Sequence, residues 1–297
     1  MPPPPKVSEP LPPPMVAMPV VLESYPRAPG HIGRLTQEAL GRRRVLHLYS
    51  GPADRKDGLA AYLKHMGWDC DDVDYCNPGP DQDVACDETC EKWLAKLHAG
   101  RYAFVYSGMP CGSASHARYH QLGPRPLRSL EHPMGLPDLP LSEKEEVRLG
   151  NLHVDRTVQA SRIVGAQGGG WAAGNPEPWE GFPTLFDLPL MADMAQDFDA
   201  RHTTFDQCRF GGVATKPTRI LYFGGAFETL TERCNHPIQE WRDGQGRTYR
   251  SRHERVVGRK TDRCEYATKA LAAYPGRLNR RIAACIASNS PLEVTSR

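Results

Sequence analysis

The sequence predicts an α/β protein with a mainly parallel sheet and helices on both faces. Two observations lead to this prediction. Short apolar runs alternate along the chain with segments whose apolar residues recur at helical spacing. In addition, the distinctive loops follow predicted strands, where the carboxyl ends of parallel strands meet. Such an alternation is typical of βαβ units, which bind ligands at that edge of the sheet.

The first predicted elements are bounded by glycine, proline or acidic residues. Val45–Tyr49 is an apolar run that stops at Ser50, so we predict a buried strand there. Leu59 and Leu63 share one face of the helix that follows. In chain order, the elements predicted here are a strand over 45–49, a helix over 58–66, a strand over 68–74, a helix over 88–97 and a strand over 102–107.

The second half of the chain gives a sparser pattern. A long helix is predicted over 142–164, with Ser142 and Glu145 spaced as in a capping box. Another apolar run predicts a strand over 219–223, and helical spacing predicts a terminal helix over 279–287.

Composition limits the classes of protein that the chain can belong to. It has 297 residues and no apolar run near the roughly 18 residues that a membrane helix needs, which excludes an integral membrane protein. No cationic and then apolar leader is present, so we expect an intracellular protein. Its nine cysteines are an odd number without a CxxC pair, which favours reduced thiols and one functional cysteine over a disulfide scaffold.

Charge is distributed unevenly. Residues 51–100 hold 5 Lys/Arg against 11 Asp/Glu, whereas residues 241–281 hold 12 Lys/Arg against 4 Asp/Glu. The basic segment fits a polyanionic partner, and a solvated arginine-rich face explains it equally well. The proline-rich residues 1–40 are expected to form a disordered arm, and residues 289–297 a loose tail.

Two loops have the composition of ligand-binding sites. The turn at Gly51 follows the first strand, and Asp74 ends the second strand, where an acid can hold ribose hydroxyls. A tight turn beside a solvated acid is the alternative. Cys111 follows the third strand among small residues, where it can act as a thiolate nucleophile or be an inert buried cysteine.

The motifs taken together resemble those of a known family. Their order is similar to that of the DNA cytosine-5 methyltransferases, and it runs Tyr49-Ser50-Gly51, Asp74, Met109-Pro110-Cys111, Asn175-Pro176, Gln207-Cys208-Arg209. Five stretches more closely resemble the methyltransferase-like domains of protist and algal retroelement-type polyproteins: PCGSASHAR, GPRPLRSLEHPMGLPDLP, NPEPW, QCRFGGVATKPTRI and ALAAYPGRLNRRIA. The resemblance covers roughly residues 42–287.

This resemblance implies a Rossmann-like, class I fold that binds S-adenosylmethionine (SAM) and methylates carbon 5 of cytosine in DNA. Cys111 would attack carbon 6 of an extruded cytosine, residues 112–140 would form a mobile loop over the substrate, and Asp74 would hold the ribose of SAM. The other implied catalytic residues are Asn175, Gln207 and Arg209, of which Gln207 and Arg209 would orient the base. The other implied cofactor-binding residues are Tyr49, Ser50, Gly51, Pro110 and either Asp83 or Asp87, which would face the adenine.

Departures from the family leave other functions open. Gly174 stands where the family has a catalytic Glu, and the loss of an acid-base partner typically costs about 10²–10⁴-fold in rate. Glu177 is one candidate replacement. The glycine turn lacks the usual close-set glycines, and Leu271-Ala272 replaces the Gly-Asn of the last motif. A catalytically degenerate SAM-fold module that binds nucleic acid or a protein partner is therefore the first alternative.

A third reading takes Asn175–Trp179 as the loop of an amino-methyltransferase acting on adenine or another exocyclic nitrogen. The domains implied are a catalytic domain over 41–223, a basic insertion over 224–265 that is a reduced target-recognition element, and a C-terminal helix within 266–288 that packs back on the catalytic domain. DNA is the expected partner of residues 241–281, RNA is not excluded, and the chain can be part of a larger polyprotein. Genomic DNA as substrate would imply a nuclear protein.

No metal ligand is assigned from the sequence. Cys234, His236, His253 and Cys264 are all ligand types for zinc. Their spacing is irregular, so the question of a zinc site stays open at this point.

Overall fold

The computed structural model describes residues 41–119, 123–242, 246–256 and 271–288. The predicted arm and tail lie outside the described residues, as do residues 257–270 of the basic segment.

A six-stranded sheet forms the centre of the molecule, with the strand order β2-β1-β3-β4-β6-β5. Its strands are β1 (Arg44–Leu48), β2 (Asp69–Val73), β3 (Phe104–Ser107), β4 (Gly170–Pro176), β5 (Arg201–Asp206) and β6 (Pro217–Phe223). The first four run parallel to one another, and β6 lies antiparallel between β4 and β5. The prediction of a mainly parallel sheet is therefore confirmed.

The order of the strands creates a switch point beside β1. From β1 the chain crosses to β2 on one side and then returns to β3 on the other side. The loops after β1 and β3 consequently start at neighbouring strand ends and run in opposite directions. Open α/β sheets bind their ligands in the crevice between two such loops.

Helices cover both faces of the sheet, as the sequence predicts. They are α1 (Leu59–His65), α2 (Asp87–His98), α3 (Leu141–Ala166), α4 (Pro189–Asp197) and α5 (Gly276–Ala287). Trp93, Val158 and Met194 bring α2, α3 and α4 into one core cluster, whereas Leu63 and Ile282 bring α1 and α5 into the other. Burying each such side chain stabilises the folded state by about 2 kcal/mol. The two clusters therefore fix the helices against the sheet.

Several elements differ from the prediction. Helix α3 is capped by Pro140 and has no side-chain capping bond, so the capping box at Ser142 is wrong. Strand β4, the polar strand β5 and the short helix α4 lie where the sequence predicts no strand or helix. Pro176 ends strand β4, where it pairs with Thr218.

A small hairpin follows the sheet in the chain. Its strands are β7 (Gln239–Arg242) and β8 (Thr248–Ser251), which pair antiparallel. This hairpin lies within the predicted basic insertion over 224–265, of which residues 224–242 and 246–256 are described. Among the helices of the described residues, none has the length and apolar character required to cross a bilayer.

Candidate active site

The turn after β1 is held in an unusual backbone conformation. Tyr49 and Gly51 both have positive φ, at 58° and 69°. A Cβ atom on Gly51 would meet no heavy atom within 4 Å, so the glycine borders open space. The positive φ favours glycine at this position, and the open space leaves room for a ligand to approach the backbone.

Asp74 closes this turn from the end of β2. Its carboxylate accepts hydrogen bonds from the backbone N–H of Gly51 at 2.9 Å and of Cys76 at 3.0 Å. Two carboxylate oxygens offer about four acceptor positions. Asp74 therefore fixes the turn and retains the capacity to accept hydroxyl groups of a ligand.

Tyr49 and Ser50 shape the turn from within. The Tyr49 hydroxyl donates to the carbonyl oxygen of His153 in α3 at 3.0 Å, and burial raises the pKa of this phenol. The Ser50 hydroxyl donates to the carbonyl oxygen of Gly51 at 2.9 Å. Both side chains are thus engaged with the protein.

Asp83 and Asp87 lie on the surface between β2 and the start of α2. Asp83 accepts a hydrogen bond from the N–H of Ala85 at 3.0 Å, which makes it a local turn residue. Asp87 is the first residue of α2 and pairs with Arg156. These contacts do not show which of the two carboxylates would face the adenine.

The loop over residues 108–115, which we call the Cys111 loop, follows β3 and is hydrogen-bonded to the strands on both sides of it, β1 and β4. Gly108 donates its N–H to the carbonyl oxygen of Leu48 at 3.1 Å, and a Cβ on Gly108 would lie 3.3 Å from the carbonyl oxygen of Tyr49. On the other side, the buried Asn175 donates its amide to the carbonyl oxygen of Met109 at 3.0 Å. Asn175 is therefore a positioning residue for the loop, and the loop touches the turn after β1. Pro110 is exposed at the outer surface of this loop.

The Cys111 thiol lies beside a lysine. Burial raises the pKa of Cys111, and the positive charge of Lys216 acts in the opposite direction. Lys216 has a positive φ of 38° and donates its ammonium to the carbonyl oxygen of Leu271. Since burial dominates, Cys111 is a protonated thiol at neutral pH, with a cation positioned to stabilise its thiolate.

Tyr274 fills the space beside Gly174. A Cβ on Gly174 would lie 2.5 Å from the Tyr274 hydroxyl oxygen and 3.2 Å from that of Tyr106. Burial raises the pKa of Tyr274 to about 12, with a smaller contribution from the nearby Cys111. The Lys216 ammonium lies 5.7 Å from the centre of the Tyr274 ring.

We call Cys111, Lys216 and Tyr274 the Cys111 group. Sequence reasoning missed the last two of these residues. Lys216 belongs to the KPTR segment that the resemblance singles out, which was the available signal for it. Tyr274 carried a weaker signal, its position within the C-terminal stretch that resembles the family.

Three other candidates have partners outside the Cys111 group. Gln207 is buried and donates its amide to the Thr218 hydroxyl at 3.0 Å. Arg209 is exposed and pairs with Asn235. Glu177 is held by the Arg233 guanidinium at 2.8 and 3.1 Å. The structure therefore engages Glu177 in an ion pair at the end of β4.

The segment over 112–140, expected to be mobile, is tied to α3 through two buried arginines in its described part. Arg128 donates to the Ser113 hydroxyl and to the Asn151 amide oxygen, both at 2.8 Å. Arg118 donates to the carbonyl oxygen of Gly112 at 2.7 Å and pairs with Glu146 of α3. Burial lowers the pKa of Arg128 to about 10, so it remains charged at neutral pH. These bonds fix the residues directly after Cys111.

An aromatic surface borders the same loop. Trp179 is 48% exposed, and its ring lies 4.6 Å from that of His116. Phe182 contacts both of these rings. An exposed indole at this position can stack with a planar ligand.

The structure gives a different set of possible zinc ligands from the one that the sequence suggests. Cys208 joins Cys234, His236 and His253, and one ligand atom from each lies within 4.8 Å of all the others. Cys264 lies outside the described residues. Cys208 is the central residue of the Gln207-Cys208-Arg209 turn, so this cluster adjoins the candidate base-orienting residues.

No family model matches the chain, and a search of curated proteins finds no match.

Proposed function

We propose that the chain is a SAM-dependent methyltransferase that acts on carbon 5 of cytosine in DNA, with Cys111 as covalent nucleophile. One observation carries this proposal. The Gly51 turn and the Cys111 loop extend from neighbouring strands at the switch point and touch through Gly108. A cofactor against the first loop and a substrate against the second would therefore be adjacent.

The residues at the Gly51 turn fit SAM. Gly51 leaves open space at its Cα, and Asp74 has acceptor capacity for a ribose hydroxyl. When bound, SAM supplies an electrophilic methyl group. The remaining chemistry has to come from side chains on the other loop.

The Cys111 group suits covalent activation of a cytosine. Cys111 releases its proton to solvent, and its sulfur bonds to carbon 6 as the electron pair of the carbon 5–carbon 6 double bond moves to carbon 5, which makes carbon 5 nucleophilic. The Lys216 charge favours the thiolate that this step needs. After methylation, solvent accepts the proton from carbon 5, the electron pair of that bond re-forms the ring double bond, and Cys111 leaves carbon 6 as a thiolate.

Tyr274 is a candidate to replace the Glu that the family has at the position of Gly174. Its hydroxyl lies beside Gly174, where the resembling family has the Glu that hydrogen-bonds ring nitrogen 3. Because burial keeps this phenol protonated, it can donate a hydrogen bond to the base. We assign it that role.

DNA is the partner that the surface supports. A paired cytosine must be extruded before the half-buried Cys111 thiol can reach it. Trp179 offers a stacking surface beside the loop, and the exposed arginines of the hairpin can bind phosphates without specifying sequence. Action on genomic DNA would place the protein in the nucleus.

Product analysis tests the proposal. The full chain is incubated with DNA and SAM carrying a labelled methyl group, and the nucleosides are separated. We expect 5-methylcytosine, and none from Cys111→Ala. N6-methyladenine would instead identify an amino-methyltransferase, and a parallel RNA substrate determines which nucleic acid is used.

The degenerate SAM-fold module is the second candidate, and Gly174 favours it. Calorimetry with S-adenosylhomocysteine separates the two, because this candidate predicts cofactor binding without product. A Glu at position 174 needs the space of Tyr274, so the informative variant combines Gly174→Glu with Tyr274→Ala. If the unaltered chain is inactive and this double variant is active, the chain is a catalytically degenerate SAM-fold module.

A further inference from the structure

Four side chains that can bind a metal ion, two cysteines and two histidines, converge between the sheet and the hairpin. Cys208 lies in the 3-10 turn after β5, Cys234 and His236 in the segment before the hairpin, and His253 just after β8. We call these four residues the Cys208 cluster. Their ligand atoms all lie within 4.8 Å of one another, although the residues span 46 positions of the chain.

The distances within the Cys208 cluster match a tetrahedral site. The Cys234 sulfur lies 3.4 Å from Nδ1 of His236 and 3.3 Å from Nε2 of His253. A tetrahedral zinc ion with bonds of about 2.3 Å to sulfur and about 2.0 Å to nitrogen separates such ligands by about 3.5 Å. One thiol proton can serve only one of the two ring nitrogens, whereas a single cation can bind the thiolate and both rings.

Surrounding groups hold the ligands in place. The Asp206 carboxylate accepts a hydrogen bond from the N–H of Cys234 at 2.6 Å. The His253 imidazole forms a hydrogen bond with the Val213 backbone, and the backbone N–H of His253 donates to the Ser251 hydroxyl at 3.2 Å. Outer partners of this kind are what orient ligands in protein metal sites.

We propose that Cys208, Cys234, His236 and His253 bind one structural zinc ion that fastens the hairpin to the sheet. Four protein ligands close the coordination sphere, which is the arrangement of structural sites and leaves no position for a substrate. The two cysteines bind as thiolates, and their protons pass to solvent. The site also fixes the turn that carries Gln207 and Arg209. It does not depend on whether the protein is a methyltransferase.

The metal content of the purified full chain is the first measurement. We expect one zinc per chain by elemental analysis, and X-ray absorption showing two sulfur and two nitrogen ligands. Replacement by Co²⁺ should give the visible bands of a tetrahedral thiolate site. Less than about 0.1 metal per chain after growth with zinc, octahedral Co²⁺ spectra, or a Cys208–Cys234 disulfide in the native protein would overturn the proposal.

Variants identify the ligands. Cys208→Ser should lower zinc affinity at least about 100-fold, since even the loss of an outer partner costs about 10–100-fold. Cys264→Ser, the other ligand type in this region, should keep its zinc. Cys86→Ser is the matched control and should keep its zinc, because Cys86 is exposed and belongs to neither group of metal-ligand side chains among the described residues. Zinc lost from Cys264→Ser and kept by Cys208→Ser would refute the assignment of Cys208. X-ray absorption uses the unaltered protein, so its count of sulfur and nitrogen ligands does not depend on whether a variant folds.

Discussion

The Cys111 group and the Cys208 cluster both contain partly or fully buried cysteine, but their neighbours predict different chemistry. Cys111 has one ammonium and one phenol near it, and no described imidazole or carboxylate acts on its pKa. Cys234 instead touches two imidazoles. A single cation beside a lone thiol stabilises an attacking thiolate, whereas several N and S donors around one point stabilise a metal. The neighbours of a cysteine, more than its burial, therefore indicate its role.

Cys111→Ala gives the largest expected effect. Methyl transfer should fall at least about 10³-fold, because the covalent route is lost. Zinc content should stay unchanged in this variant, which separates the two cysteine regions. Activity assays and elemental analysis on the same preparation provide both measurements. Full activity in Cys111→Ala would refute its role as nucleophile.

Arg128→Met tests how the Cys111 loop is held. The buried guanidinium bonds to Ser113 and Asn151, so its loss should lower the free energy of unfolding by about 3 kcal/mol. Urea denaturation measures this change. The control is Arg148→Met, which removes an exposed pair with Glu145 and should change stability by less than about 0.5 kcal/mol. Equal effects of the two variants would contradict the anchoring role of Arg128.

Gly174→Ala tests whether Tyr274 occupies the space beside Gly174. The added methyl group would overlap the Tyr274 hydroxyl, so stability should fall by about 2 kcal/mol. In a Tyr274→Phe background the cost should be smaller, because the hydroxyl is gone. A double-mutant cycle measures the coupling. Additive effects would show that the two side chains do not meet.

Lys216→Met gives the smallest expected effect. The Lys216 charge lowers the pKa of Cys111, so its removal raises that pKa further. The thiolate then forms only at higher pH, and the midpoint of the alkylation rate against pH moves upward. Peptide mapping after iodoacetamide treatment follows Cys111 alone. Lys216→Arg, which keeps the charge, should retain most of the original profile, and an unchanged midpoint in Lys216→Met would exclude this electrostatic role.

The sequence predicts the elements whose apolar pattern is simple. Strands β1 and β3 are short buried runs, and α1 has a clear apolar face, so local pattern suffices for them. It fails for β5, because Arg201–Asp206 is mostly polar and becomes a strand through its pairing with β6. The long helix α3 was predicted, but its first residue was not, since Pro140 caps it without a side-chain bond.

The site was predicted in part for a similar reason. Gly51, Asp74 and Cys111 follow strands that were recognised, and the sheet brings their loops to one edge. Lys216 and Tyr274 reach Cys111 from segments more than 100 residues away in the chain, so spacing carries no information about their contact. Cys208 likewise meets Cys234 only because β5 and the following segment return to the same place.

The most direct test of Cys111 as covalent nucleophile uses DNA that carries 5-fluorocytosine. Fluorine cannot leave carbon 5 as a proton does, so the sulfur bond to carbon 6 persists after methyl transfer. We predict a protein–DNA complex stable to denaturation that requires SAM, with peptide mapping that locates the attachment to Cys111. Demonstrated SAM and DNA binding without any such complex would contradict the account.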